Sequence, residues 1–148
     1  MAILLMRPEL DQWRQGEHTG TFRGNNLAFV AAAELLDYWK TDALTQSIKY
    51  KSIIIQKSLH ELAKKNLALK MKIRGRGMIW GIEILQKGVA AKILRAAFEK
   101  RLLLETCGSN GQVVKLLPPL IIEETLLREG LQRLSDVVSE LQFKSEGS

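Results

Sequence analysis

The sequence predicts an α+β domain in which helices pack on a short, mostly antiparallel sheet. From about residue 42 onward, the hydrophobic pattern runs helix, strand, helix, strand, strand, helix. The last two strand segments, residues 102–106 and 113–117, flank a six-residue turn, which is the arrangement of a hairpin. A chain of 148 residues, 46% of them hydrophobic, is long enough to bury one core.

The first forty residues follow a different pattern. Residues 2–6 are a short, uniformly apolar run, which is typical of a strand buried on both faces. A loop with three glycines, residues 16–26, then leads into an apolar helix over residues 27–39, for which Asn25 or Asn26 can act as N-cap. Because nearly every position in the first half of that helix is apolar, we expect it to be buried almost all round.

The period of the apolar residues defines the next two elements. A second helix starts near residue 41 and carries one apolar face, formed by Leu44, Ile48, Ile55, Leu59 and Leu62. The period changes to two at Ile73, and the alternation over residues 78–85 predicts a strand. Gly75 and Gly77 are expected to bend this strand or to leave room for another backbone.

Two further helices lie on either side of the hairpin in the chain. The third helix follows Gly88, and the last helix covers roughly residues 123–142, after Pro118 and Pro119 have ended the preceding strand. The remaining tail, residues 144–148, is expected to be disordered.

Composition restricts the kinds of site that the chain can hold. Cys107 is the only cysteine, which excludes an internal disulfide and any multi-cysteine zinc site. His18 and His60 are the only histidines, so a multi-histidine metal site is also excluded. No metal site is therefore predicted, and Cys107, in a turn without a base nearby in the sequence, is interpreted as structural.

The net charge of +6 raises the question of a polyanionic partner. The densest basic run spans residues 64–76 but lacks aromatic side chains that could stack on bases, so we interpret it as a solvated face. Nucleic-acid binding through this run stays a weaker alternative. No segment approaches the ~20 consecutive apolar residues of a membrane span, and the composition indicates a cytoplasmic protein.

Residues 19–26 have the local chemistry of an anion site. Glycines, the hydroxyl of Thr21 and backbone amides lead directly into a helix N-terminus, which favours phosphate. Loops of this composition are also common before ordinary helices, so a turn or helix-entry role for Thr21 is the alternative.

Four segments in the same order resemble class III, pyridoxal-phosphate-dependent aminotransferases. Residues 20–28, with the sequence GTFRGNNLA, resemble the threonine-containing loop of that family. Residues 74–83, RGRGMIWGIE, are similar to the strand that opens its small C-terminal domain, and residues 102–108 and 113–120 are similar to the hairpin of that domain. The resemblance extends over at least residues 2–141.

The resemblance implies a fold and a domain organisation. It implies the fold type I architecture, with residues 1–40 as one strand of the large domain plus the interdomain helix. Residues 41–143 then correspond to the small C-terminal domain.

The resemblance also implies roles for three residues. Thr21, beside Gly20, corresponds to the threonine that binds the phosphate of the cofactor held by the partner subunit of a dimer. Lys115 corresponds to a position where relatives often carry an arginine that binds a substrate carboxylate. Because lysine is a point charge without the guanidinium fork, a surface lysine at a strand edge is an equal alternative for Lys115.

No catalytic residue is predicted within this chain. In the family, the lysine that holds the cofactor covalently and the aspartate that pairs with the pyridine nitrogen lie upstream of the segment matching residues 2–6. None of the lysines present here matches that motif. We therefore expect the chain to resemble the C-terminal third of the enzyme, to be inactive alone and not to bind pyridoxal phosphate stably.

Two positions depart from the family pattern. Arg101 ends the third helix where relatives usually have a glycine in a left-handed conformation, at a cost of about 1 kcal/mol if that conformation is kept. Ile122 stands at the position expected to cap the last helix, where relatives usually have threonine.

The alternative function is that of a non-catalytic module for oligomerisation or partner binding. If no large domain covers the apolar helix over residues 27–39, its surface favours association of this chain with itself. A separate upstream polypeptide that completes the enzyme is a further possible partner.

Overall fold

The computed structural model describes the backbone of residues 3–145 and the side chains of residues 3–141. The chain divides into two compact units, Met1–Ala43 and Leu44–Ser148. None of the helices in the described range is both long and apolar enough to cross a membrane.

The N-terminal unit has little regular structure before its single long helix. A short 3-10 helix covers Pro8–Leu10, and helix α1 covers Asn26–Asp37. Residues 3–7 form no strand, which corrects the strand predicted over residues 2–6, although Ala2 lies outside the described residues. A strand requires a neighbour for its backbone hydrogen bonds, and the described residues of this unit contain no other strand.

Helix α1 begins where its N-cap predicts. The side chain of Asn25 accepts a hydrogen bond from the backbone N–H of Ala28 at 3.0 Å, which confirms Asn25 as the cap. The helix is nevertheless not buried all round, because none of its residues is buried in the chain. Leu27 is 82% exposed and Val30 is 70% exposed. Periodicity identified the apolar surface correctly, but nothing in this unit covers it.

Besides a 3-10 helix over Leu67–Leu69, the C-terminal unit contains three α-helices and all four strands of the described chain. In chain order they are α2 (Ala43–Lys65), β1 (Lys72–Arg76), β2 (Ile79–Glu83), α3 (Val89–Glu99), β3 (Glu105–Cys107), β4 (Val113–Leu116) and α4 (Glu124–Ser145). The strands form one antiparallel sheet in the order β1-β2-β4-β3. The α+β prediction and the predicted hairpin, now β3 and β4, are therefore confirmed.

The region predicted as one strand from Ile73 to residue 85 is instead the hairpin of β1 and β2. Gly77 takes a left-handed φ of +58° and the chain reverses there. The indole N–H of Trp80 donates to the carbonyl of Gly77 at 2.8 Å and holds the turn. Gly75 makes room for both a side chain and a backbone, because a Cβ there would lie 2.3 Å from Cδ2 of Trp80 and 2.6 Å from the carbonyl oxygen of Ile79.

One hydrophobic core joins one face of the sheet to the helices of this unit. Among its fully buried members are these residues of α2, α3, α4 and alternate positions of the strands: Ile55, Leu59, Ile82, Ile93, Val114, Leu134, Val137 and Val138. The period-two alternation thus separates a core face from an outer face that carries charged side chains.

Helix α3 ends in a Schellman motif with an arginine at the left-handed position. The amide of Leu102 donates to the carbonyl of Ala97 at 2.8 Å, and that of Arg101 to the carbonyl of Phe98 at 2.9 Å. Arg101 has a φ of +59°, as the family pattern predicted for this position. The Arg133 guanidinium then donates to the carbonyl of Lys100 at 3.0 Å and to that of Arg101 at 3.3 Å.

The ends of α4 differ slightly from the prediction. The helix begins at Glu124, so the cap position falls at Glu123 and not at Ile122, which is half-buried against the core instead. At the other end the helix reaches Ser145, two residues into the predicted disordered tail. Residues 146–148 of that tail lie outside the described residues.

Candidate functional site

The threonine loop is a tight turn immediately before α1. The backbone N–H of Arg23 donates to the carbonyl of Gly20 at 3.0 Å and closes a turn with Thr21 and Phe22 in its middle. Both middle residues are exposed, and Phe22 is 96% exposed. Gly24 follows with a left-handed φ of +74°. The chain then enters α1 at its Asn25 cap, so the turn and the helix N-terminus are continuous.

The side chain of Arg23 folds back over this turn. Its Nη1 donates to the backbone carbonyl of His18 at 2.6 Å, and its Nη2 lies 3.4 Å from Nδ1 of the same histidine. The imidazole of His18 in turn stacks on Trp13, with 4.7 Å between the ring centroids and 20° between the planes. No sequence motif predicted a role for the side chains of Trp13, His18 and Arg23, although all three lie within eleven residues of the chain.

The loop and helix N-terminus fit a phosphate group. Thr21 is exposed, and the amides of Asn26 and Leu27, in the first turn, have no acceptor within the helix. The positive end of the helix dipole adds to these donors. The nearest acidic side chain in the sequence, Glu17, is engaged elsewhere, because its Oε2 accepts from the backbone N–H of Arg14 at 2.8 Å.

Lys115 lies on the outer face of the sheet in the C-terminal unit. It pairs across the strands with Glu105, and Nζ of Lys115 is 2.5 Å from Oε2 of Glu105. The hydrogen bond and the charge of the partner raise the pKa of Lys115 and lower the pKa of Glu105. A carboxylate ligand of Lys115 must therefore compete with Glu105.

A second lysine, Lys51, is more buried than the sequence pattern predicted. Lys51 on α2 is only 9% exposed, and its Nζ donates to the carbonyl of Leu120 at 3.2 Å. It lies three residues after Ile48 and four before Ile55, on the apolar face of the helix. This spacing is the sequence signal from which the burial of Lys51 could have been predicted. Its contact joins α2 to the segment that precedes α4.

The predicted site residues are divided between the two units. Thr21 and Gly20 lie in the N-terminal unit, and Lys115 lies in the C-terminal unit. Across the part of the chain that the structure describes, no three histidine, cysteine or acidic side chains are grouped so that they could hold a metal ion.

The fold and the threonine loop together define the class of protein. The model of the aminotransferase class III family matches residues 2–138. The chain therefore belongs to the class III aminotransferases, a family that depends on pyridoxal phosphate, and the resemblance seen in its motifs is confirmed.

Two curated relatives match nearly the whole of this chain. The chain is 49% identical over 146 residues to the diaminobutyrate–2-oxoglutarate transaminase of Wolinella succinogenes, covering 99% of this chain and 34% of that protein. It is 48% identical over 138 residues to the enzyme of the same description from Oceanobacillus iheyensis, covering 93% of this chain and 32% of that protein. The chain thus spans about a third of the length of the curated relatives it matches.

Solved structures share the fold. The ornithine aminotransferase of Toxoplasma gondii matches with a TM-score of 0.75 at 23% identity, covering 91% of this chain and 32% of that one. The acetylornithine aminotransferase of Elizabethkingia anophelis matches with a TM-score of 0.71 at 26% identity, covering 88% of this chain and 34% of that one.

Proposed function

We propose that this chain forms the interdomain helix and the small domain of a diaminobutyrate–2-oxoglutarate aminotransferase. The observation that carries the proposal is the 49% identity to the Wolinella succinogenes enzyme over nearly the whole chain. The reaction moves an amino group between two pairs of compounds. One pair is 2,4-diaminobutyrate and aspartate semialdehyde, and the other is glutamate and 2-oxoglutarate. The proposal includes a cytoplasmic location and a role in ectoine biosynthesis.

In this proposal the threonine loop holds the phosphate of the cofactor bound by a partner subunit. The Thr21 hydroxyl donates to a phosphate oxygen, and the free amides of Asn26 and Leu27 supply further donors at the helix N-terminus. Pyridoxal phosphate, when bound, supplies an electrophilic carbonyl carbon and a ring that stabilises negative charge next to it. The contribution of this chain is to bind the cofactor phosphate and thereby to orient the cofactor.

Lys115 is proposed as the contact for a substrate carboxylate. Its ammonium already binds a carboxylate, that of Glu105, and its side chain is 30% exposed. A substrate carboxylate takes the place of the Glu105 carboxylate at Nζ. Because Glu105 is itself 68% exposed, it can rotate into solvent at little cost.

The 148 residues alone are proposed to be inactive. No lysine among them belongs to the motif that holds the cofactor covalently. That lysine comes from outside these residues, either from a preceding part of the same protein or from a separate polypeptide. Mixing the purified chain with pyridoxal phosphate should give neither a lysine adduct that borohydride fixes nor amino transfer, and a stoichiometric adduct with turnover would contradict this.

The function is tested by replacing the corresponding C-terminal third of the Wolinella succinogenes transaminase with this full chain. We expect the hybrid to transfer the amino group of 2,4-diaminobutyrate to 2-oxoglutarate. A folded hybrid that holds pyridoxal phosphate and accepts only other amino donors would overturn the assignment of substrate.

Two substitutions in the hybrid test the individual roles. Thr21→Ala should weaken the affinity for pyridoxal phosphate by about tenfold or more, because a hydrogen bond to a charged group is lost, whereas Thr21→Ser should retain it. Lys115→Met should raise KM for 2-oxoglutarate, and Lys115→Arg should not. Equal parameters for Lys115→Met and the unchanged hybrid would remove Lys115 from the site.

A second candidate function is self-association without catalysis, and the exposure of α1 favours it. The apolar residues Leu27, Phe29, Val30, Leu35 and Leu36 are all at least half exposed along this one helix. A contiguous apolar surface of this kind is typical of an interface. The partner proposed is a second copy of this chain, and membrane or nucleic-acid partners are not proposed.

A further inference from the structure

We propose that Arg23 is a positioning residue that holds the Thr21 loop in the conformation that receives the cofactor phosphate. The inference rests on the proposed function, because it concerns the same loop. Arg23 itself is not assigned a contact with the phosphate, since its guanidinium turns back toward the loop.

The loop is closed twice by the same residue. The backbone N–H of Arg23 donates to the carbonyl of Gly20 at 3.0 Å, and its Nη1 donates to the carbonyl of His18 at 2.6 Å. Thr21 lies inside both closures. The inner closure defines the turn, and the outer one fixes the start of the loop relative to its end.

No burial contributes to the order of this loop. Every residue from position 11 to position 27 is exposed, so the loop has no packed layer that selects its conformation. An exposed loop has many conformations, and each of them must be given up when a ligand binds. Hydrogen bonds that close the loop in advance therefore lower the entropy lost on phosphate binding.

The acceptor for Arg23 is itself held in place. The imidazole of His18 stacks on Trp13 with 4.7 Å between the centroids, and Nη2 of Arg23 lies 3.4 Å from Nδ1 on the ring. The fork of the guanidinium thus meets both the carbonyl and the ring of one residue. A lysine carries the same charge but has no such fork.

Gly20 belongs to the same arrangement. A Cβ at Gly20 would lie 3.2 Å from Nε of Arg23, so the Arg23 side chain would have to shift by a few tenths of an ångström. Glycine at this position thus leaves the Arg23 side chain space to fold back over the turn, and Gly20 acts on the phosphate through the shape of the loop.

The test separates positioning from charge with three substitutions in the hybrid enzyme. Arg23→Lys and Arg23→Met should both raise the dissociation constant for pyridoxal phosphate, by about tenfold. The kcat at saturating pyridoxal phosphate should stay within about twofold, because the chemistry does not involve Arg23. Arg14→Lys is the matched control, since the side chain of Arg14 has no part in the closures, and it should leave the dissociation constant unchanged.

A second measurement uses the 148-residue chain by itself, outside the hybrid enzyme. Arg23→Lys and Arg23→Met should speed hydrogen exchange at the backbone amide of residue 23, which donates to the carbonyl of Gly20 at 3.0 Å, once the intrinsic rate for the new side chain is allowed for, and Arg14→Lys should leave that exchange unchanged. If Arg23→Lys retains both the slow exchange and the affinity, charge alone matters and the inference is wrong. If Thr21→Ala weakens cofactor binding while both Arg23 variants do not, the inference is wrong and the proposed function stands. If Thr21→Ala also has no effect, the proposed phosphate contact itself fails.

Discussion

Arg101 has a backbone conformation that a residue with a Cβ disfavours. Its φ of +59° lies in the left-handed region, where a Cβ meets the following carbonyl oxygen at a cost of about 1–2 kcal/mol. The Schellman hydrogen bonds at the end of α3 need that conformation, so the helix ending keeps it. Two hydrogen bonds from Arg133 to the carbonyls of Lys100 and Arg101 offset part of the strain.

Arg101→Gly should stabilise the C-terminal unit by about 1 kcal/mol, because glycine takes the left-handed conformation without strain. The side chain of Arg101 is exposed, so its loss removes no core contact. The measurement is the urea midpoint of unfolding. Arg101→Ala is the control and should bring no gain, since alanine keeps the strained Cβ. A glycine variant that unfolds at lower urea than the unchanged chain would contradict the prediction.

At the scale of elements, the hairpin of β1 and β2 depends on an aromatic ring lying over a glycine. Gly75 and Trp80 are cross-strand partners, and the ring occupies the space above Gly75. Trp80 is 6% exposed and belongs to the core, so it has no alternative position. This contact therefore helps to join the hairpin to the core, together with the buried side chain of Ile82 and the partly buried side chain of Ile73.

Gly75→Ala should destabilise the C-terminal unit by about 1–3 kcal/mol, because the new methyl group would lie 2.3 Å from Cδ2 of Trp80. Gly130→Ala is the matched control, and it should stabilise the C-terminal unit instead of destabilising it. A Cβ at Gly130 would meet Cδ1 of Leu102 at 3.7 Å, an ordinary contact, and alanine favours the interior of α4 by about 1 kcal/mol. The Tm of each variant, measured by thermal unfolding, tests the two predictions. Equal shifts in Tm would contradict the packing argument.

At the scale of the whole molecule, the chain presents apolar surface that its own folding does not cover. The N-terminal unit contains no buried residue among those described, whereas the C-terminal unit has a contiguous core. Burial of apolar area is the main driving force of both folding and association. The N-terminal unit is therefore the part of the chain whose order we expect to depend on a partner.

The 148-residue chain should sediment as a dimer or a larger oligomer at micromolar concentration. Val30→Glu should dissociate it, because Val30 is 70% exposed at the middle of α1 and a charge there must be desolvated in the interface. Glutamate also favours the helix more than valine does, so α1 itself should persist. Leu103→Glu is the control on the C-terminal unit, where Leu103 is 81% exposed, and it should not dissociate the oligomer. A clean monomer of the unchanged chain contradicts the prediction.

Some features followed from residues close together in the sequence. The amphipathic period located α2, α3 and α4, the two apolar runs on either side of a six-residue turn located β3 and β4, and the pair Asn25 and Asn26 indicated the start of α1. The left-handed conformation at Arg101 followed from the family pattern and was found. Each of these depends on one turn of helix or one strand, so local chemistry is sufficient.

Other features required the positions of partners. Residues 3–7 are as apolar as a buried strand but have no strand beside them, and the reversal at Gly77 turns one predicted strand into two. The partner of Lys115 is Glu105, ten residues away, and Lys51 is buried against Leu120. Periodicity shows which face of an element is apolar, but it does not show what lies opposite that face.

The sequence by itself determined the family, the α+β class and the candidate phosphate loop, because these depend on motifs and on local hydrophobic periods. The tertiary structure alone decided that Glu105 competes for Lys115, that Trp80 requires Gly75, and that Arg23 closes the loop around Thr21. The physical reason is that hydrogen bonds, ion pairs and packing act over a few ångströms in space. Their partners are therefore defined only once the chain has folded.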